Sequence, residues 1–204
     1  VTMTESADSL GTSIGIWNGA ARTLNTNGHT LSVAGPGASC GVGIYAALSG
    51  AGGFSSSLSS FVLFGSAATS FTGSISASAG DLLVSNSSAF GSTNGVTISG
   101  TGSLYLGQIT TDKSYSFPIT LGGTGTLGAS QNTYNRCAGG DMDTANTKLT
   151  LTGTVTLNTD FKYYGNDVDI EVTGSFVNNG HSFSVTSGSR GKITTPEGTV
   201  TAPV

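Results

Sequence analysis

The chain has 204 residues, 32 of them glycine, with 9% charged side chains and a net charge of -4 from seven basic and eleven acidic residues. With only four prolines it is neither collagen-like nor a proline-rich linker, and the scattered basic residues leave no footprint for nucleic acid or an anionic membrane. An apolar content of 36% suits a thin core drawn out along a repeat, and all-β chains of this length form single domains, so one domain over residues 1–204 is expected.

The first strand signal is Ser13 to Trp17, in which Ile14 and Ile16 alternate with small residues before the Asn18-Gly19 turn. Trp17, the single tryptophan, reads as a ring that closes the open end of a repeat fold, with a carbohydrate-stacking platform as the alternative. Next comes LNTNGHTLSV (Leu24 to Val33), which has a counterpart near the C-terminus, FVNNGHSFSV (Phe176 to Val185). Both histidines, His29 and His181, occupy the same slot of this motif, so a joint catalytic or metal site is one reading and a pair of turns the other. The Asn-Gly pairs supply positive-φ turn positions, and each histidine starts the next strand. Residues 34–53 are mostly small and enclose one apolar strand, Val42 to Leu48, consistent with a flat face or a corner where backbones approach closely.

From Ala46 to Leu106 one phrase repeats: three to five residues with alternate apolar side chains, closed by Gly, Ser, Thr or Asn. Phe61 and Leu63 alternate with Val62 and Phe64, and Leu82 and Val84, Val96 and Ile98, and Leu104 and Leu106 are further apolar pairs. This is the period of short strands, with no 3.6-residue stripe long enough for a helix. Between Arg22 and Asp112 the only formal charge is Asp81, so hydroxyls, amides and backbone must solvate the surface. Such a surface suits an extracellular or cell-surface protein.

Residues 47–106 resemble the strand repeat of bacterial autotransporter passengers, with Ser70-Phe71-Thr72-Gly73 at that family's aromatic-threonine-glycine step; Phe117 to Gly128 and Leu149 to Val185 match more loosely. The resemblance implies a right-handed parallel β-helix, a β-solenoid, with coils of roughly 20 to 25 residues and hence about eight or nine coils in a rod about 40 Å long. An antiparallel sandwich or jelly roll is the alternative that the turn spacing also permits.

An irregular loop, about residues 129–148, interrupts the pattern and carries Tyr134, Arg136, Cys137 and the acidic pair Asp141 and Asp143. Two glycines before two aspartates at i, i+2 make these carboxylates calcium candidates, although no EF-hand glutamate or β-roll nonapeptide accompanies them, and a solvated loop is the other reading. No other cofactor is implied. The cysteines, Cys40 and Cys137, are expected to form a disulfide, with two separate buried thiols as the alternative; neither has zinc spacing. In Asn166 to Val172, Val168, Ile170 and Val172 read inward, and Asp167, Asp169 and Glu171 form an outward carboxylate stripe.

That stripe is the one feature suggestive of a polysaccharide-cleaving β-helix enzyme, but its acids share a strand and the nearest base in sequence, Lys162, lies outside it. No catalytic residue is assigned, and no nucleophile elbow, phosphate loop or dinucleotide fingerprint is found. The expectation is a non-enzymatic extracellular structural or adhesive protein, a surface-fibre subunit or passenger-like stalk. A carbohydrate-binding module is the alternative, to be recognised by exposed tyrosines on one face among Tyr45, Tyr105, Tyr163 and Tyr164. A glycan or host surface is a possible partner, and no apolar run is long enough for a membrane-spanning helix. Strand-competent ends, with Ile14, Ile16, Ile193 and Val200 available for burial, imply a homo-oligomer or filament formed through terminal strands.

Overall fold

The computed structural model describes residues 23–35, 42–44, 46–65, 67–68, 70–84, 86, 88–107, 111–130, 147–166 and 168–201. The described residues contain strands and turns but no helix. The chain winds as a parallel β-helix of about six turns, and each turn visits three faces in the same order.

The first face holds β1 (Thr23–Asn25), β4 (Ala47–Gly50) and β7 (Ser70–Phe71), then β12 (Lys113–Tyr115), β15 (Thr147–Leu151), β18 (Val168–Val172), β21 (Ile193–Thr195) and β22 (Gly198–Val200). Between β7 and β12 a turn replaces the strand, and Ser92 donates its backbone N–H to Phe71 at 3.0 Å to keep the stacking continuous. The second face is a seven-stranded sheet of β2 (Leu31–Gly35), β5 (Phe54–Leu58), β8 (Ser74–Ala77), β10 (Gly95–Ile98), β13 (Ile119–Leu121), β16 (Val155–Leu157) and β19 (Phe176–Val177). The third, also seven-stranded, holds β3 (Val42–Ile44), β6 (Phe61–Phe64), β9 (Asp81–Val84), β11 (Ser103–Leu106), β14 (Thr126–Ser130), β17 (Phe161–Asn166) and β20 (Phe183–Val185).

Among the described strands only β21 and β22 pair antiparallel. A sandwich or jelly roll would make antiparallel pairing the rule, so the parallel β-helix is the fold. Successive second-face partners, Leu31, Phe54, Ile75, Val96 and Ile119, lie 23, 21, 21 and 23 residues apart. Ile119 and Val155 lie 36 apart, because this turn also contains residues 131–146. That long turn, with residues 1–22 outside the described part, is why about six turns replace the expected eight or nine. Seven rungs at ~4.8 Å make a stack of about 30 Å rather than 40 Å.

The strand alternation follows the sequence pattern closely. On the second face Leu31, Phe54, Ile75, Val96, Ile119 and Val155 stack inward, and on the third Val62, Leu82, Leu104, Leu127 and Tyr163 do the same. Each such aliphatic or aromatic side chain contributes about 1.5–3 kcal/mol when fully buried. An aromatic column runs through the core: Phe54 to Phe64 and Phe64 to Phe90 at 5.0 Å, then Phe90 to Phe117 and Tyr115 to Phe117 at 5.4 Å.

The segment Val42 to Leu48 differs from its reading as one strand. It is two, β3 on the third face and β4 on the first, with a corner between them. Corners also account for much of the glycine: a Cβ on Gly125 would lie 1.5 Å from the Gly102 carbonyl oxygen, and one on Gly73 would lie 1.6 Å from that of Gly52. Backbone stacks directly on backbone at these points.

Candidate functional site

The C-terminal end of the stack carries a cleft of about 210 Å³, lined by Phe176, Phe183 and Val200 with His181, Glu197 and Thr199 at its margin. Three elements build it. β19 and β20 are the last strands of their sheets among the described residues, and β22 folds back antiparallel over β21. The Phe176 and Phe183 rings are stacked, with centroids 6.2 Å apart and planes 20° from parallel. Phe176 and Val200 are partly buried against the core, whereas Val177, on the outward side of β19, is 40% exposed.

Polar contacts hold the margin of the cleft in place. The Asn178 amide donates to both carboxylate oxygens of Glu197 at 2.8 and 2.7 Å, tying the β22 hairpin to the preceding corner. Asn179 donates to the Leu157 carbonyl at 2.8 Å and to the Asn158 side chain at 3.3 Å. His181 Nδ1 lies 3.7 Å from Asp160 Oδ1, and Asp160 also accepts the Ser182 backbone N–H at 2.9 Å.

The two Asn-Gly-His motifs form the expected turns. Asn27 and Asn179 have φ of 49° and 51°, and the N–H groups of His29 and His181 donate to Thr26 and Asn178 at 2.8 Å. The motifs nevertheless occupy different corners. The first joins β1 on the first face to β2 on the second; the second joins β19 on the second face to β20 on the third. The histidines therefore stand near opposite ends of the stack and form no joint site.

The carboxylate stripe on β18 faces outward as expected, with Val168, Ile170 and Val172 buried behind Asp169 and Glu171. Its bases come from neighbouring rungs, not from Lys162. Lys148 on β15 pairs with Glu171, and Lys192 lies 3.6 Å from Asp169. The hydrogen bond and charge of Glu171 hold the Lys148 ammonium above the ordinary lysine range. Asp112 accepts the Lys148 backbone N–H at 2.9 Å, and Asp169 accepts that of Lys192 at 3.0 Å. Acid and base thus alternate along the stack, an arrangement that neutralises charge rung by rung.

The tyrosines divide. Tyr163 is fully buried and donates its hydroxyl to the Val168 carbonyl at 2.6 Å; burial, then the charge of Asp169, pushes its phenol above the ordinary range. Tyr105 and Tyr164 share one outward column of the third face, separated by Gly128, and the Tyr105 ring occupies the space where a Gly128 side chain would stand.

Tyr45, Cys40, Cys137, Asp141, Asp143, Ile14, Ile16, Trp17 and Asp167 lie outside the described residues, so the disulfide, the calcium candidates and the N-terminal part of the assembly surface do too. Among the described residues no group of three or more His, Cys, Asp or Glu could hold a metal ion. Ile193, expected on the assembly surface, is completely buried because β22 continues the first face beyond it. Val200 lines the cleft, and Phe176 and Phe183 are the apolar members that sequence reasoning missed. Their signal was position: they lie on the last strands of two faces, which becomes visible once the turn period is counted back from the C-terminus.

Neither a family model, nor a curated protein, nor a solved structure matches this chain.

Proposed function

We propose that this chain is a non-enzymatic extracellular structural or adhesive protein, a subunit of a surface fibre or a stalk of the autotransporter-passenger kind. One observation carries the reading. The outward column of the second face is hydroxyl-bearing on six successive rungs, Ser32, Ser55, Ser76, Thr97, Thr120 and Thr156, all in register. Ser55 and Ser32 hydrogen-bond to each other at 2.9 Å. With charges paired rung by rung on the first face, this makes a long, nearly uncharged surface of repeated small polar groups, suited to a spacer exposed to water. Immunogold labelling of source cells with antibody raised against the purified chain tests it: label on the outer surface is expected, and label confined to the cytoplasm overturns the reading.

A glycan-binding role is the second reading, favoured by the Tyr105–Gly128–Tyr164 column, in which two partly exposed tyrosines stand two rungs apart and the Tyr105 ring leans over Gly128 between them. Partly exposed aromatic rings gathered in one column suit stacking against the sugars of a glycan. Binding to immobilised glycans that is lost on Tyr164→Ala would support it; equal binding by the variant would refute it.

A further inference from the structure

On the third face, the outward side chains around β14 and β17 form two columns. One holds Tyr105, Gly128 and Tyr164 in register, and the other Thr126, Lys162 and Ser184. A Cβ on Gly128 would lie 2.1 and 2.3 Å from Cδ1 and Cε1 of Tyr105, so that ring lies along the sheet, over the Gly128 backbone, instead of standing up from it. Gly128 is buried while Tyr105 and Tyr164 are half-buried, which leaves ring surface turned to solvent. On β17 Phe161 and Tyr163 point into the core, so alternation puts Lys162 and Tyr164 side by side on the outer surface, with Lys162 exposed. On the described strands of this face the formal charges are Lys162 and Asp81, and β9 lies three rungs, about 14 Å, from β17. Asp160, just before β17, is already engaged: it accepts the Ser182 backbone N–H at 2.9 Å and lies 3.7 Å from His181. Among the described residues no carboxylate forms an ion pair with Lys162.

We propose that this patch binds an acidic polysaccharide, with sugar rings laid on Tyr105 and Tyr164 and an acid group of the same chain on the Lys162 ammonium. The proposal rests on the glycan reading above and supplies its ligand class. A ring lying along a sheet presents one broad π-face, which the C–H face of a sugar covers without needing a pocket. Thr126 and Ser184 flank Lys162 in its own column, so hydroxyl groups that can both donate and accept stand beside the cation. The ammonium adds a charge-assisted hydrogen bond that a neutral glycan cannot make. Lysine is a compact point charge without a planar fork, so a carboxylate and a sulfate both satisfy it. A nucleic acid fits less well, because its affinity comes from many phosphate contacts and this face offers one cation on a chain of net charge -4.

The test titrates the full chain calorimetrically with hexagalacturonate, its fully methyl-esterified form, hexamannuronate, a heparin hexasaccharide and cellohexaose. Each titration is run in dilute buffer and again at about 1 M salt, where the screening length falls to about 3 Å. Three variants separate the parts of the patch. Lys162→Gln removes the cation at an exposed position, Tyr164→Ala removes one ring, and Gly128→Ala puts a methyl group where the Tyr105 ring lies and lifts that ring off the sheet. Circular dichroism and thermal melting first establish that each variant is folded.

The expected result is that at least one acidic oligosaccharide binds about tenfold more tightly than the neutral ones, and that this preference disappears at high salt and in Lys162→Gln. Tyr164→Ala and Gly128→Ala should weaken acidic and neutral ligands alike. Equal binding of acidic and neutral oligosaccharides overturns the acidic preference and leaves the glycan reading standing, as does a preference that Lys162→Gln retains. Absence of binding to every oligosaccharide overturns both. Should a ring variant fail to fold, Lys162→Gln and the comparison of hexagalacturonate with its ester decide the matter, since neither disturbs the packed side of the sheet.

Discussion

Replacing Tyr115 by phenylalanine should stabilise the protein. The side chain is 3% exposed and packs against Phe117, yet its hydroxyl has no hydrogen-bond partner among the described residues. An unsatisfied buried polar group costs about 1–3 kcal/mol, and phenylalanine keeps the ring while removing the group, so a gain of about 1–2 kcal/mol is expected. For a domain of this size that corresponds to a rise in Tm of about 2–8 °C. Tyr163 is the internal control, because its hydroxyl donates to the Val168 carbonyl; Tyr163→Phe leaves that acceptor unpaired and should cost about 1–3 kcal/mol.

Alkaline pH offers a second readout of the same hydroxyl. Burial raises both phenols above the ordinary tyrosine pKa. Their protonated forms therefore support folding in full below about pH 10, and that support is lost as the pH rises and the unfolded chain ionises first. The melting temperature of the unaltered protein should fall above that pH, and Tyr115→Phe should reduce the fall. Chemical denaturation and thermal melting at neutral and alkaline pH measure both effects. A neutral-pH loss of stability of about 1 kcal/mol or more in Tyr115→Phe would mean that the hydroxyl is satisfied, and would refute the reasoning.

Other substitutions test the corners, the last core rung and the charge ladder. Gly125→Ala puts a methyl group against the Gly102 carbonyl and should cost about 3 kcal/mol, whereas Gly180→Ala meets no atom within 4 Å and should cost only about 1–2 kcal/mol for its φ of 83°. Denaturant midpoints would separate the two. Ile193→Ala should cost about 2–5 kcal/mol because the side chain is completely buried. Removing residues 192–204 should likewise destabilise the fold, not merely prevent assembly, because it takes away a core side chain along with the end strand; a truncated chain with unchanged melting would contradict this. Glu171→Gln should lower the Lys148 pKa towards its ordinary value, measurable by NMR titration of the lysine side chain, since Glu171 supplies both main causes of the rise. The ion pair supports folding below about pH 10 and loses that support as Lys148 deprotonates at higher pH.

Alternation made much of the strand pattern legible. Leu82 with Val84, Val96 with Ile98 and Leu104 with Leu106 all point into the core as their spacing predicts, whereas in Phe61 to Phe64, apolar throughout, only the structure shows that Val62 and Phe64 are the inward pair. What alternation cannot give is the face on which a strand lies or the strand it pairs with, since both depend on turn length. The two Asn-Gly-His motifs look equivalent in sequence because the same local backbone serves two different corners. The partners of Asp169 and Glu171 were hidden for a related reason. Lys192 and Lys148 stand 23 residues from them, close to one turn of the helix and invisible to a search within one strand. Leu63 and Leu83 show the remaining gap: alternation sends them outward, yet they are 6% and 2% exposed, so outward on a rung does not mean solvated.

The ends of this solenoid follow from its interior. A rung satisfies its backbone by using the next rung, so satisfaction can be passed along the stack but not completed within it. At the C-terminal end the chain completes one face by reversing direction: the hairpin from β21 to β22 is tethered by Asn178 to Glu197 and by Val200 against the core. Reversal within two residues reaches only the edge just built, so the same device cannot also cover β19 and β20, which stand on other faces. β19 and β20 keep the geometry of an interior rung, with the Phe176 and Phe183 rings stacked beside the cleft.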